Sequence, residues 1–208
     1  MALNPSLVDP ARTAIVINEF QGGVVGAASP MKHIADSARP AIEALVRLLA
    51  VARPAGVNVV QCVIANRSDG RGGNVNTAFG AMARKRREAG EVSTVDPVAH
   101  AAVIPELGPK PSDFVMTRLH GMSPMSDTGL DPLLRNLGVT TVVCAGASLN
   151  VGIIALANDA MNRGYNVIVV GDACSSIPPE YGADMLRYSF PIISRVTTTD
   201  ELIEIWKQ

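Results

Sequence analysis

The stretch that most constrains the fold is residues 140–161, TTVVCAGASLNVGIIALANDAM. Residues 140–145 are β-branched or small and apolar, a small-residue turn follows at 146–148, and apolar residues at helical spacing begin at Leu149. This order predicts a buried strand, a tight turn and a helix that opens on Asn150. In an open α/β sheet, ligands bind where strands end and the next helices begin, so the turn is a candidate site.

Similar strand and helix patterns alternate along the rest of the chain. Further strands are predicted at 14–17, 57–64, 113–117, 166–170 and 192–197. Helices are predicted at about 29–52, 77–89 and 130–137, from 178 and from 199. Strands that alternate with helices predict a parallel sheet with helices on both faces, and no repeat or linker divides residues 1–208 into more than one domain.

Three local features qualify this pattern. Ser29 and Pro30 are typical of a helix start, and Pro40 predicts a kink in that helix or a break between two helices. Residues 92–111 are punctuated by prolines and predict a long irregular connection of the kind that lies over a site. The glycine-rich loop 68–74 lacks the glycine spacing of a phosphate cradle, so a nucleotide site is not expected.

Composition excludes several classes of function. With 208 residues, 48% of them hydrophobic, and a formal charge of −1, the chain can bury one sizeable core and has no electrostatic reason to bind nucleic acid or a membrane. The basic cluster at 84–87 predicts a solvated helix face, with a docking patch as the alternative. No apolar run could span a bilayer and no signal peptide is evident, so we expect a cytoplasmic protein.

Cys62, Cys144 and Cys174 each lie in or beside an apolar strand-like run. This position is typical of reduced, buried thiols. Their spacing indicates neither a disulfide framework nor a metal site.

Five segments in this order resemble the isochorismatase-like hydrolase superfamily, which includes cysteine hydrolases such as nicotinamidases. They are TAIVINEFQGGVVG, DFVMTR before His120, GVTTVVCAGASLNVGIIALANDA, GYNVIVVGDA and VTTTDELIEIW. The resemblance covers about Thr13 to Trp206, and residues 65–112 only poorly. It implies a three-layer α/β/α fold with a six-stranded parallel sheet, and a homo-oligomer such as a dimer or tetramer.

Cysteine hydrolases of this superfamily use an acid at the end of the first strand, a lysine at the end of the third and a cysteine nucleophile in the turn after the fourth. The acid-x-Gln pattern of the family falls on Glu19, Phe20 and Gln21. The lysine position falls on Arg118 and the cysteine position on Gly152. Because glycine cannot attack a carbonyl, the resemblance implies a site without a thiol nucleophile.

Cys144 is not expected to substitute for it, because it lies inside the predicted strand rather than in the turn, and Cys174 is remote because it lies beyond the fifth strand. Isochorismatases proper resemble this chain in having glycine at the turn position. Hydrolysis of a vinyl ether needs a proton on the enol carbon and a water, without an acyl-enzyme.

By this resemblance Glu19 would donate the proton, and Gly152 would leave room for substrate or water, with close helix packing as the alternative. Arg118 would anchor a substrate carboxylate by a forked hydrogen bond. A general acid must keep its proton near neutral pH, which burial favours and a neighbouring arginine opposes. A closed ion pair between Glu19 and Arg118 would instead indicate an inactive pocket.

The remaining candidates surround these positions. Ser148 and Leu149 resemble the family's oxyanion-stabilising turn, often built with a cis peptide, although Leu149 replaces the usual threonine. Asn150 is predicted to cap the following helix, with a substrate contact as the alternative. His120 is a candidate for proton transfer, with a surface loop position favoured. The residues expected to border the pocket, or to belong to the core instead, are Phe20, Gln21, Met122, Met125 and Tyr181.

Some nicotinamidases bind a metal through an Asp-x-His element after the second strand. Asn66, Arg67, Ser68 and Asp69 stand there in this chain, so no metal or other cofactor is expected. The leading hypothesis is a thiol-independent hydrolase of a small anionic metabolite, in which Glu19 is the general acid/base. The alternatives are a non-catalytic small-molecule-binding or assembly protein and an amide hydrolase of non-standard mechanism.

Overall fold

The computed structural model describes residues 3–26, 29, 32–91 and 96–207. The predicted helix position of Pro30 and the part of the irregular connection at 92–95 lie outside these residues. The described chain forms three layers, with one sheet between two layers of helices.

The sheet has six parallel strands in the order β3-β2-β1-β4-β5-β6. Their bounds are β1 Thr13–Asn18, β2 Asn58–Ile64, β3 Phe114–Arg118, β4 Thr141–Gly146, β5 Asn166–Cys174 and β6 Arg195–Thr197. Every residue of β1 and β4 is buried, as expected for central strands that helices cover on both faces. The prediction of a six-stranded parallel α/β/α fold is therefore confirmed.

The described α-helices are α1 Lys32–Ala52, α2 Ala78–Glu88, α3 Pro97–Ala101, α4 Leu130–Asn136, α5 Ile154–Asn162, α6 Pro179–Asp184, α7 Phe190–Ile193 and α8 Thr199–Trp206. A π-helical turn at Leu149–Ile153 leads into α5, and another at Met185–Ser189 joins α6 to α7. α1 and α8 bury their apolar faces in one core cluster, and α4, α5 and α7 contribute to the cluster on the opposite face of the sheet. A core on each face is what an amphipathic helix layer on both sides of an apolar sheet produces.

Three sequence-based expectations change. Pro40 lies inside the continuous helix α1, so the predicted break between two helices is wrong. The strand predicted at 192–197 is only Arg195–Thr197, because the helical run that begins at Pro179 continues through a π-helical turn at Met185–Ser189 and α7 to Ile193. The connection predicted as irregular contains α3 and a 3-10 turn at Pro105–Leu107.

The strand order brings the candidate site together at the carboxyl edge of the sheet. In the register of the sheet, Asn18 at the end of β1 stands opposite Cys62 of β2 on one side and Gly146 of β4 on the other. Arg118 ends β3 opposite Ile64. Residues separated by about a hundred positions thus become neighbours.

Candidate active site

Glu19 and Arg118 form an ion pair at this edge. Arg118 Nη2 donates a hydrogen bond to Glu19 Oε1, and the side chains are only 5% and 21% exposed, respectively. The backbone of Glu19 has a φ of +54°, a left-handed conformation that costs a residue other than glycine about 1 kcal/mol. Its N–H donates to the Cys62 carbonyl over 2.8 Å, so the strained residue is anchored to β2.

Arg118 has further contacts and one unused group. Its Nε donates to the Gly121 carbonyl at 3.3 Å and its Nη2 also donates to the Met122 carbonyl at 3.4 Å. Its Nη1 is buried and has no hydrogen-bond partner among the described residues. Because a guanidinium is a permanent cation and Nη1 carries only donors, this nitrogen is an unsatisfied donor that an anion would satisfy.

The pKa of Glu19 is raised above its ordinary value. Burial raises this pKa because it disfavours the charged carboxylate, whereas the charge and hydrogen bond of Arg118 lower it to a smaller extent. Arg118 therefore stabilises the ionised form of Glu19, whereas burial favours the protonated form. A group with this balance can serve as a general acid/base.

The space beyond Gly152 is filled by Asn18. A Cβ added at Gly152 would lie 2.2 Å from Asn18 Nδ2 and 3.0 Å from the Ala147 carbonyl oxygen. Asn18 is fully buried, and its Nδ2 donates a hydrogen bond to that same carbonyl. The room for substrate or water predicted at Gly152 is thus taken by an amide side chain, which favours the alternative of close packing.

Sequence reasoning missed Asn18, although a signal was present. It follows Ala14 and Val16 at the two-residue spacing of a strand, so it points to the same face of the sheet as they do. A polar residue in that series, at the end of a central strand, is a candidate for the site. Its Oδ1 is buried and without a partner among the described residues.

The three cysteines are free and buried. Burial raises the pKa of Cys62 to about 12 and raises the pKa values of Cys144 and Cys174 as well. Because only the thiolate is an effective nucleophile, none of the three is poised for attack. Cys62 lies close enough to Glu19 and Arg118 for their charges to act on its pKa, a proximity that only the strand order discloses.

The turn after β4 contains a cis peptide bond between Ala147 and Ser148, as the resemblance implied. The Leu149 N–H donates to the Ser175 carbonyl at 2.8 Å, and the Ser148 carbonyl accepts the amides of Val151 and Ile153. Since the Leu149 amide is already used, the oxyanion role suggested for it is not supported.

Asn150 holds the turn against the chain that follows β5. Its Nδ2 donates to the Ile177 carbonyl at 3.0 Å, and its Oδ1 accepts from Ser176 Oγ at 3.3 Å. Ser148 occupies the cap position of the helical turn and makes no side-chain cap bond. The predicted capping role of Asn150 is therefore wrong.

The other predicted pocket residues divide between core and surface. Phe20 and Met125 are buried in the clusters on opposite faces of the sheet, which favours the core alternative for both. His120 is exposed, as favoured for a loop histidine, and Tyr181 is exposed on α6. Met122 is half-buried, and its carbonyl holds Arg118.

Gln21 has a structural role. Its side-chain amide accepts from the Ile64 N–H at 2.7 Å and donates to the carbonyls of Ile64 and His100 at 2.8 and 2.7 Å. These bonds tie the end of β1 to β2 and α3. The ring of His100 also lies near this segment, with Nε2 2.9 Å from Asn66 Nδ2, and burial lowers the pKa of His100. No sequence motif had indicated this histidine.

Within residues 3–26, 29, 32–91 and 96–207, no group of three or more histidine, cysteine or acidic side chains is arranged to hold a metal ion. None of the helices in the described part of the chain is long and apolar enough to cross a membrane.

Residues 13–201 match the family model described as the isochorismatase domain. An uncharacterised isochorismatase family protein of Bacillus subtilis is 33% identical over 108 residues, which is 52% of this chain and 57% of that protein. The chain thus spans little more than half the length of that relative. A maleamate amidohydrolase of Pseudomonas putida is 31% identical over 163 residues, covering 76% of this chain and 70% of its own.

Among solved structures, an isochorismatase family protein from Desulfovibrio vulgaris superposes with a TM-score of 0.80. The sequences are 24% identical, and the superposition covers 95% of this chain and 99% of that one. The likeness extends the agreement in fold to nearly the whole chain.

Proposed function

The chain belongs to the isochorismatase family of hydrolases, and from this premise we propose that it hydrolyses a small carboxylate-bearing metabolite by proton transfer, without a thiol nucleophile. The substrate class is a vinyl ether or a related compound whose cleavage begins with protonation. Glu19 is the general acid/base, and Arg118 anchors the substrate carboxylate.

The observation that carries the proposal is the pair of Glu19 and Arg118 at the carboxyl edge of the sheet, in which Arg118 Nη1 has no hydrogen-bond partner among the described residues. The pair supplies a carboxyl group with a raised pKa and a cation with an unpartnered buried Nη1. Position 152 supplies no nucleophile, and Asn18 occupies the space that a side chain there would need. This combination favours acid/base chemistry over acyl transfer.

The reaction proceeds in two proton transfers. Protonated Glu19 donates its proton to the enol carbon of the vinyl ether, which leaves a positively charged, oxygen-stabilised carbon. Water adds to that carbon and returns a proton to the Glu19 carboxylate, and the resulting hemiketal separates into a carbonyl compound and an alcohol. This second transfer restores the protonated form of Glu19, so the protein is unchanged after one catalytic cycle.

A carboxylate-bearing substrate is supported by two observations. Arg118 is a permanent cation, and its Nη1 is unused among the described residues, so this nitrogen can donate to a carboxylate oxygen. The name of the Pseudomonas putida relative gives maleamate, a small carboxylate, as the compound on which that protein acts.

The test is turnover by the protein and by Glu19→Gln on isochorismate and a panel of small amides that includes maleamate. We expect cleavage of a vinyl ether by the unmodified protein and a loss of at least about a hundredfold in Glu19→Gln, because general acid catalysis contributes on the order of 10²–10⁴. Circular dichroism checks that the variant remains folded, and Glu43→Gln, an exposed acid on α1, is the matched control. Unchanged turnover in Glu19→Gln contradicts the proposal.

A second candidate function, a non-catalytic small-molecule-binding or assembly protein, is favoured by the closed ion pair and by the filled space at position 152. It predicts no turnover on any compound of the panel. Amide hydrolysis is favoured by the names of several relatives, which are ureidoacrylate amidohydrolases and the maleamate amidohydrolase, whereas the unreactive thiols oppose an acyl-enzyme route. Rapid release of ammonia from maleamate would support it against the vinyl-ether proposal.

A further inference from the structure

We propose that a carboxylate bound at Arg118 makes Glu19 take up one proton from solvent, so that the substrate itself loads the general acid. The inference rests on the proposed function in one respect, the placement of the substrate carboxylate at Arg118. It gives the closed ion pair a role as the resting state of the site.

The charges of the resting site are balanced. Glu19 is the acid of the pair, and Arg118 on β3 is its cation. From β2, Cys62 is the other ionisable group that interacts with Glu19, and burial keeps it a neutral thiol. From β1, the preceding residue Asn18 carries no charge. One cation and one anion therefore share a partly buried site, with the two side chains 5% and 21% exposed.

The guanidinium can hold a second anion. Arg118 Nε and Nη2 are occupied by the carbonyls of Gly121 and Met122 and by Glu19. Nη1 is buried and has no partner among the described residues, which leaves its donors unsatisfied in the resting state. A ligand carboxylate that accepts a hydrogen bond from Nη1 would supply the missing partner.

A second anion leaves the site with an excess negative charge, which is costly where water is scarce. Arg118 is already protonated, and Cys62 is already neutral, so neither can correct the charge. Among the groups named, only Glu19 can restore neutrality, by accepting a proton. Its burial persists while the attraction of Arg118 is shared with the ligand, and both effects favour the acid.

Proton uptake fixes the sign of the pH dependence. If binding adds a proton to the site, lower pH strengthens binding and higher pH weakens it, by reciprocal linkage. Where free Glu19 is ionised and bound Glu19 is protonated, the Kd of the carboxylate rises about tenfold for each pH unit.

The experiment is calorimetric titration with crotonate, a small carboxylate that stays ionised from about pH 6 to pH 9. Titrations in buffers of different ionisation enthalpy measure the protons taken up on binding. We expect uptake to rise toward one proton per site and Kd to rise with pH over the same interval. Crotonamide, which has the same carbon skeleton without the charge, controls for apolar binding.

Two variants separate the groups. Glu19→Gln mimics the protonated acid, so we expect it to bind crotonate with no proton uptake and with a Kd that no longer rises with pH. Glu43→Gln, on the exposed face of α1, should keep the coupling of the unmodified protein. Circular dichroism across the pH range checks that both remain folded.

The outcomes distinguish the two proposals. If crotonate binds no better than crotonamide at any pH, the carboxylate anchor fails, and the proposed function fails with it. If crotonate binds in preference, but with the same proton uptake in the unmodified protein and in Glu19→Gln, the coupling is overturned while the anchor stands. Loss of uptake in Glu19→Gln alone supports the coupling.

Discussion

At the residue scale, the turn after β4 is defined by one space at Gly152 that the side chain of Asn18 fills. Gly152 is the position where relatives with a thiol mechanism have their nucleophile by resemblance, and Asn18 occupies the volume that any side chain there would enter. The backbone oxygen of Ala147 closes the same space from another side. The absence of a side chain at 152 and the presence of an amide at 18 therefore depend on each other.

We expect Gly152→Ala to lower the free energy of unfolding by about 1–3 kcal/mol, because the new methyl group overpacks a closed space. Chemical denaturation measures the change. Gly73→Ala is the control, since its Cβ would meet the nearest atom at an ordinary 3.6 Å. Combining Gly152→Ala with Asn18→Ala should cost less than the sum of the single changes, and strict additivity would count against a shared space.

At the element scale, the carboxyl edge of the sheet is held together by Gln21. The side-chain amide of Gln21 joins the segment after β1 to the end of β2 and to α3, and Gln21 is fully buried. The helix α3 is therefore joined to the segment after β1, where the sequence predicted an irregular connection of the kind that lies over a site. Glu19 lies two residues before Gln21, so the hydrogen bonds of Gln21 also hold the backbone near Glu19.

We expect Gln21→Ala to lower the free energy of unfolding by about 3 kcal/mol, because the buried amide and carbonyl of Ile64 lose their side-chain partner. Denaturation measures the loss, and hydrogen exchange should show faster exchange at the Ile64 amide. A loss below about 0.5 kcal/mol would mean that water or neighbouring backbone replaces the amide completely.

At the scale of the whole molecule, the two ends of the described chain are fastened to each other. Glu201 on α8 accepts the Leu3 N–H at 2.7 Å and the Thr197 hydroxyl at 2.6 Å. Trp206 Nε1 donates to the Val8 carbonyl at 2.8 Å. The hydrogen bonds from Thr197 and Leu3 lower the pKa of Glu201, whereas burial raises it to a smaller extent.

This lowered pKa predicts an acid-sensitive contribution to stability. A carboxyl whose pKa is lower in the folded state stabilises the fold above its unfolded pKa, about 4.3, and loses this effect as pH falls through the folded value. We therefore expect Glu201→Gln to lower the Tm at pH 7 and to approach the Tm of the unmodified protein at lower pH. Glu180→Gln, an exposed acid on α6, is the control, and a difference that does not depend on pH would contradict the prediction.

The homo-oligomer implied by the resemblance, as a dimer or tetramer, stays a prediction at this scale. Sedimentation velocity measures it directly, and a single species with the mass of one chain, 21.8 kDa, would contradict it.

By itself, the sequence determined the alternation of strands and helices, the turn after β4 and the lack of a nucleophile at position 152. These follow from local patterns, because hydrophobic spacing and residue identity do not require knowledge of distant neighbours. The strand prediction at 192–197 was partly wrong for the same reason. An Ile-Ile pair locally favours a strand, but in the folded chain these residues belong to a helix.

Only the tertiary structure decided that Asn18 fills the space at Gly152, that Glu19 closes on Arg118, and that Cys62 lies beside them. Each of these contacts joins different strands or a strand and a turn, so it depends on strand order and register. A hydrophobic pattern specifies which face of a strand is buried, but it does not specify which polar side chains meet at the end of the sheet.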